Sequence, residues 1–240
     1  MSGHSKWHTI QKKKGATDAK RGQIFTKLAK AITVAVKSGG DTNPDFNFQL
    51  RVAIDQAKAA NMPKDNVERA IKRGAGDANE GNIEEVIYEG FGPGNTGLLI
   101  QCLTDNRNRS VSEVRNVMNK KGGSMAGQGS VKWMYDRKGV VRLKEGVSIE
   151  DRDVFELAMI EAGAEDLKEN EQWEIISSVE DLKQVLEKLN EHDLVVDSGA
   201  VEYVAKETLE LSDADEEQLA ILLEHLSELE DTDNVFVNAN

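Results

Sequence analysis

The chain has 240 residues, 39% of them hydrophobic and 30% charged, a balance that excludes a disordered protein and fits a globular one. Its formal net charge of −13 conceals a sharp polarity: residues 1–75 hold 15 Lys and Arg against six Asp and Glu, a net of +9, while the remaining 165 hold 15 bases against 37 acids, a net of −22. Such asymmetry implies a polyanion-binding end on a body that repels polyanions, and nucleic acid is the expected polyanion.

No run approaches the roughly 18 apolar residues that a membrane helix needs. Lys27 and Lys30 interrupt the first apolar stretch, where a secretory signal would need an uncharged one. The lone Cys102 lies in the apolar run Leu98–Leu103, excludes an intramolecular disulfide and suits a reducing compartment. A cytoplasmic location without a membrane partner is expected.

Residues 1–17 lack apolar periodicity. Gly3-His4-Ser5-Lys6-Trp7 followed by Lys12-Lys13-Lys14 reads as a basic arm. From Asp18 to about Ser38 the spacing predicts a helix, with Ile24, Phe25, Leu28, Ile32, Ala35 and Val36 on one face and Gly39-Gly40 as its stop. At about 100° per residue, Lys20, Lys27, Lys30 and Lys37 share a quarter turn on the opposite side. Arg21 leans toward the apolar side. A second helix is expected from after Asn43-Pro44 to about Asn61, with Leu50, Ile54 and Ala57 inward. Pro63 fits the first turn of a third, which carries Val67, Ala70 and Ile71 and ends at Gly74. Gly74 to Gly81 reads as a linker.

Beyond Gly81 the period changes. Glu84–Phe91 and Leu98–Thr104 read as strands joined across Gly92-Pro93-Gly94-Asn95. A helix near Ser110–Lys121, capped by Asn108 or Ser110, should lead through the loop Gly122–Gly129 to a short strand Val131–Tyr135. Residues 139–206 then give strand Val140–Leu143, helix Glu150–Ala162, strands Glu165–Lys168 and Trp173–Ser177, helix Glu180–Glu191 and strand Ala200–Ala205. That order is the split-βαβ, ferredoxin-like arrangement. Ser212 caps a last helix, Asp213–Glu230, and Val235–Val237 closes as a strand. The expected fold class is α+β in three domains, a three-helix bundle and two α/β domains. Their bounds are 1–75, then 82–138 completed by 207–240, with 139–206 inserted as the ferredoxin-like domain.

Basic side chains neutralise backbone phosphates, and an aromatic ring stacks on unpaired bases. Lys6, Lys12, Lys13, Lys14, Lys20, Lys27 and Lys30 are therefore candidate phosphate contacts. Trp7 fits a stacking ring or a plug for the bundle. Arg107 and Arg109 fit either phosphate contacts or partners for the acidic domain, with pairing slightly favoured. Gly90-Phe-Gly-Pro-Gly94 and Gly122–Gly129 have the wrong element order for phosphate-binding loops. The second reads as a mobile partner-contacting loop or a flexible connection. His4, His8, His192 and His225 form no metal set, and no nucleophile arrangement appears. No catalytic residue, cofactor, metal or small-molecule substrate is expected.

Several stretches resemble the YebC/PmpR family: Gly3-His-Ser-Lys-Trp7, Asp18-Ala-Lys-Arg-Gly22 with Phe25-Thr-Lys-Leu28, and Asn61-Met-Pro-Lys-Asp-Asn66 with Glu68-Arg-Ala-Ile-Lys-Arg-Gly74. Tyr88-Glu-Gly-Phe-Gly-Pro-Gly94, Thr104-Asp-Asn-Arg-Asn-Arg109 and Gly129-Ser-Val131 are similar too. The likeness is dense over 3–135 and looser beyond, and its loose point within the dense part is Met125 and Gln128, where the family varies. It implies a three-domain α+β protein, cytoplasmic in bacteria with mitochondrial relatives. Members are mostly described as DNA-binding transcriptional regulators, and some relatives act in translation.

The resulting expectation is a non-enzymatic, nucleic-acid-binding regulator of gene expression, with the family label favouring transcription and DNA. A ribosome- or ribosomal-RNA-binding translation factor that relieves stalling, for example at proline-rich stretches, is the alternative. The flexible arm and the lack of a base-reading helix-turn-helix favour it. A protein-interaction adaptor is the second alternative.

Overall fold

A computed structural model describes residues 18–76, 82–170 and 172–239, with side chains from Arg21 onward. Seven α-helices and two four-stranded antiparallel sheets occur among the described residues. The chain forms two compact units, one of Met1–Tyr135 with Ala205–Asn240 and the other of Asp136–Val204.

The first unit opens with three helices, α1 (Asp18–Gly39), α2 (Phe48–Ala59) and α3 (Lys64–Gly74). Their 3.6-residue spacing brings Ile32, Ala35, Val36, Leu50, Ala53, Ala57, Met62 and Ala70 into one buried cluster. Asn47 caps α2 by accepting from the Leu50 amide at 3.1 Å, so this helix starts later than the sequence suggested. Ile24, expected inward, stays exposed.

A sheet follows. β1 (Glu84–Phe91) and β2 (Gly97–Thr104) pair antiparallel from Glu84↔Thr104 to Phe91↔Gly97. Their turn is a 3-10 segment, Pro93–Asn95, in which Gly94 has φ +65°. Helix α4 (Arg107–Lys120) starts earlier than expected because Asn106 is its cap, accepting from the Arg109 amide at 3.1 Å. Neither Asn108 nor Ser110 is. The glycine-rich stretch after α4 holds a two-residue strand, β3 (Ser124–Met125), paired to Gly90 and Phe91 of β1. Where a strand over Val131–Tyr135 was expected there is a 3-10 turn, Lys132–Met134, and the strand begins only at Tyr135.

At the far end of the chain α7 (Asp213–Glu228) and β8 (Thr232–Val237) return to this sheet. β8 pairs with β2 and completes the order β3-β1-β2-β8. Leu98, Ile100 and Cys102 of β2, Val114 and Met118 of α4, and Leu219, Leu222, Leu223 and Leu226 of α7 share one core with Val235 and Val237. α4 and α7 thus form the helical layer that covers one face of the sheet.

The second unit runs β4 (Tyr135–Leu143), α5 (Arg152–Glu161), β5 (Ala164–Glu169), β6 (Trp173–Ser177), α6 (Leu182–Glu191) and β7 (Val196–Ala205). The order β5-β6-β4-β7 is the ferredoxin-like one. Phe155 meets Trp173 edge to face at 5.2 Å within its core. Arg142, buried in the sheet, forks onto Glu202 at 2.6 and 2.9 Å and pairs with Glu174 at 2.9 Å.

Candidate nucleic-acid interface

The arm residues Lys6, Trp7, Lys12, Lys13 and Lys14 lie outside the described residues, as does the side chain of Lys20, whose backbone belongs to α1. The structure places the other four, Lys27, Lys30, Arg107 and Arg109, and turns the two lysines inward.

Lys30 is a correction. It was expected to face solvent, yet it is buried, with Nζ donating to Asp231 Oδ1 at 2.6 Å and to Glu230 Oε1 at 3.3 Å. Asp231, only 2% exposed, also accepts from Thr104 Oγ1 at 3.0 Å and from Arg109 Nη2 at 2.9 Å and Nε at 3.2 Å. Burial alone would raise the pKa of Asp231. The hydrogen bonds from Lys30 and Arg109 outweigh that and hold it below the ordinary value.

Lys27 is turned inward as well, against expectation. Its ammonium donates to the carbonyls of Ser227 at 2.5 Å and Thr232 at 2.7 Å, satisfying acceptors where α7 ends and β8 begins. Desolvation brings its pKa down to about 8 despite nearby Asp233. The same burial pushes the Asp233 carboxyl up to about 6. The lysine face of α1 therefore docks the helical domain onto the sheet domain. A sequence-derived helical wheel finds the face but not what covers it.

The two arginines follow the pairing alternative. Arg107, 63% exposed, forks onto Glu84 at 2.5 and 2.6 Å. Arg109 binds Asp231 and reaches Asp105 at 3.0 Å. Lys37, from the same lysine face, donates to Asn82 Oδ1 at 2.7 Å. The exposed bases of the described helical domain are Arg21, Lys37, Arg51, Lys58, Lys64, Arg69 and Lys72. Lys58 and Lys64 share their charge with Asp55 and Glu68 in surface pairs, which are weak and leave both ammonium groups in water.

A second feature escaped the sequence reading. Glu89, buried on β1, accepts from three backbone amides, those of Gly129 at 2.7 Å, Val131 at 2.6 Å and Lys132 at 2.9 Å. Burial opposes its charge, and the three amides more than compensate, so its pKa lies below the ordinary value. The glycine loop expected to be mobile or merely flexible is tied down at its second half by one carboxylate. Just beyond it Trp133 stands 65% exposed.

Burial pushes the Cys102 thiol up to about 12, so it stays protonated at neutral pH. Among the described residues no group of three His, Cys, Asp or Glu could hold a metal ion, and no helix is long and apolar enough to cross a membrane.

Residues 5–77 match the family model described as TACO1/YebC protein N-terminal domain, and residues 83–239 match that of the TACO1/YebC second and third domain. The chain belongs to the TACO1/YebC family. A protein of Desulfosudis oleivorans, named "Probable transcriptional regulatory protein", is 46% identical over 100% of this chain and 97% of its own length. A relative from Geobacter sulfurreducens with the same designation is also 46% identical, over 99% of this chain and 95% of its own. The crystal structure of a conserved hypothetical protein of Aquifex aeolicus superposes with a TM-score of 0.85 at 38% identity, covering 96% of this chain and 95% of that one. That Aquifex aeolicus protein thus shares its fold with the chain over nearly the full length of both.

Proposed function

We propose that the protein is a non-enzymatic, cytoplasmic, nucleic-acid-binding regulator of gene expression. The observation that carries this is the concentration of +9 in residues 1–75 against −22 in the rest. Setting Lys27 and Lys30 aside for docking still leaves a net of +7 there (13 bases against 6 acids), with Lys6, Lys12, Lys13, Lys14 and Lys20 ahead of them. Docking gives that positive segment a fixed base: α1 is held to the sheet domain at Lys27 and Lys30, and the arm leads directly into it. The names of the relatives support a transcriptional role, and duplex DNA is then the ligand.

One observation favours the second reading, ribosomal RNA and a role in translation. α1 uses Lys27 and Lys30, half of its lysine face, for docking, which breaks up the basic face it could offer a groove. Binding led by an arm suits irregular RNA better than a regular duplex.

Binding titrated against salt tests the proposal. For the wild type, log K should fall by about 0.7–0.9 per phosphate contact per log unit of salt. Lys12–Lys14 reversed to Glu should flatten that slope by about two to three contacts. Unchanged binding of the triple variant to both duplex DNA and ribosomes would sink the arm's role. Competition between ribosomes and an operator-sized duplex then separates the two readings.

A further inference from the structure

The stretch from Arg107 to Met134 is the exception in an acidic body: it carries six Lys and Arg and a single acid, Glu113. Arg107 and Arg109 pair internally. Arg115, Lys120 and Lys132 are exposed, and Lys121 is partly so. Near its end lies the loop that Glu89 holds by three amides. Gly127, Gln128, Gly129 and Ser130 are exposed along it, and β3 ties its first half to β1.

The orientation of Trp133 is fixed from both sides. Val131, fully buried, plugs inward two residues before it. Tyr135, two residues after it, donates from its hydroxyl to the Gly97 carbonyl at 2.7 Å. Between these anchors the 3-10 turn Lys132–Met134 leaves Trp133 pointing outward. Its Nε1–H donates to the Ser130 carbonyl at 2.9 Å, so the one polar group of the indole is already satisfied within the loop. What remains for a partner is the ring face.

We infer that this loop is a second nucleic-acid contact, in which an unpaired base of single-stranded RNA stacks on Trp133 while Lys132 beside it, with Lys120 and Lys121 at the start of the loop, serves the phosphates. The inference rests on the nucleic-acid reading in its second, RNA form and deepens it by naming an unpaired strand as ligand. A base fits better than an apolar protein surface for two reasons. Trp133 is the only exposed large hydrophobic residue described between Arg107 and Met134, whereas a protein hot spot sits within an apolar patch. Its surroundings in the chain are cationic and glycine-rich, which lets a sugar-phosphate backbone approach closely.

The test uses the full-length protein, a 12-nucleotide oligouridylate and a duplex DNA of the same length, titrated across salt. Alanine substitution at a stacking ring costs about 5- to 150-fold per base. Trp133→Ala should therefore weaken oligouridylate binding at least about 5-fold at every salt concentration and leave the salt slope unchanged, with Trp133→Phe retaining most of the affinity. The duplex should respond little, because its bases are stacked internally. The emission that Trp133→Ala removes should be quenched by oligouridylate in the wild type, a readout independent of affinity.

Wild-type affinity in the folded Trp133→Ala variant would overturn the inference alone, provided the Lys12–Lys14 variant still loses binding. Equal weakening for duplex and single strand would overturn the stacking role. A wild type that binds neither probe at any salt would overturn this inference and the nucleic-acid reading together.

Discussion

Asp231 sits where three parts of the chain meet, and its partners decide what it contributes. Lys30 comes from 201 residues upstream, Thr104 from the end of β2 and Arg109 from the first turn of α4. Each cation alone would carry a desolvation cost that the shared carboxylate offsets, so removing the carboxylate leaves buried Lys30 only the longer contact to solvent-exposed Glu230 at 3.3 Å. Asp231→Asn should lower the stability of the first unit by about 3–5 kcal/mol, read as a fall in the urea midpoint at pH 7. The pH dependence follows from the direction of the shift. The carboxyl is more acidic folded than its ordinary 3.8, so its contribution is complete above that value and is lost as pH falls through the folded pKa. The gap between wild type and Asp231→Asn should hold from pH 7 to about 4 and narrow below. None of this was legible in the sequence. A helical wheel correctly groups Lys27, Lys30 and Lys37, but charge carries no direction, and the acid that claims Lys30 is nearly the whole chain away.

At the scale of elements the punctuation of the sequence was informative where a single residue dominates a boundary. Gly39-Gly40, Pro63, Ser212 and the Gly92–Asn95 turn all mark ends within a residue or so. Boundaries were missed where several residues could do the same job: Asn106, Asn108 and Ser110 all suit a cap, and only the fold shows that Asn106 takes it. The Lys132–Met134 turn was missed because its apolar spacing imitates a short strand, and Glu89 gave no sign that it would reach across to hold the glycine loop. Close packing between elements is equally invisible in composition. A Cβ on Gly74, at the end of α3, would lie 2.6 Å from both the Thr33 carbonyl oxygen and Val36 Cβ of α1. Backbone cannot yield there, so Gly74→Ala should cost about 1–3 kcal/mol despite alanine's better helix propensity. Gly22, inside α1, is the control, since a Cβ there would meet nothing within 4 Å. Gly22→Ala should gain up to about 1 kcal/mol. Opposite shifts in melting temperature would confirm that approach of α3 to α1, and not glycine content, sets the sign.

The whole molecule is organised by an insertion. The first unit leaves off at Tyr135 and resumes at Ala205, and the two ends adjoin, since the Lys206 amide donates to the Met134 carbonyl at 2.9 Å. The core shared by β2, α4, α7 and β8 contains no residue from 136–204. The Lys30–Asp231–Arg109 network likewise lies wholly within the first unit. Loop-closure entropy for ends already this close is small, so a short connector can replace what now spans them. A chain in which residues 136–204 are exchanged for a few glycines should therefore fold, keep one cooperative thermal transition and protect the amides of β2 and β8 from hydrogen exchange as the full protein does. If the arm and the Trp133 loop carry binding, it should also retain the salt slope of the full chain on single-stranded RNA, because both belong to the part that is kept. Loss of cooperative unfolding would mean that the inserted unit supplies stability to its host. Retained folding with lost binding would move the nucleic-acid surface onto the ferredoxin-like unit, whose acidic residues make that the less favourable place for phosphate.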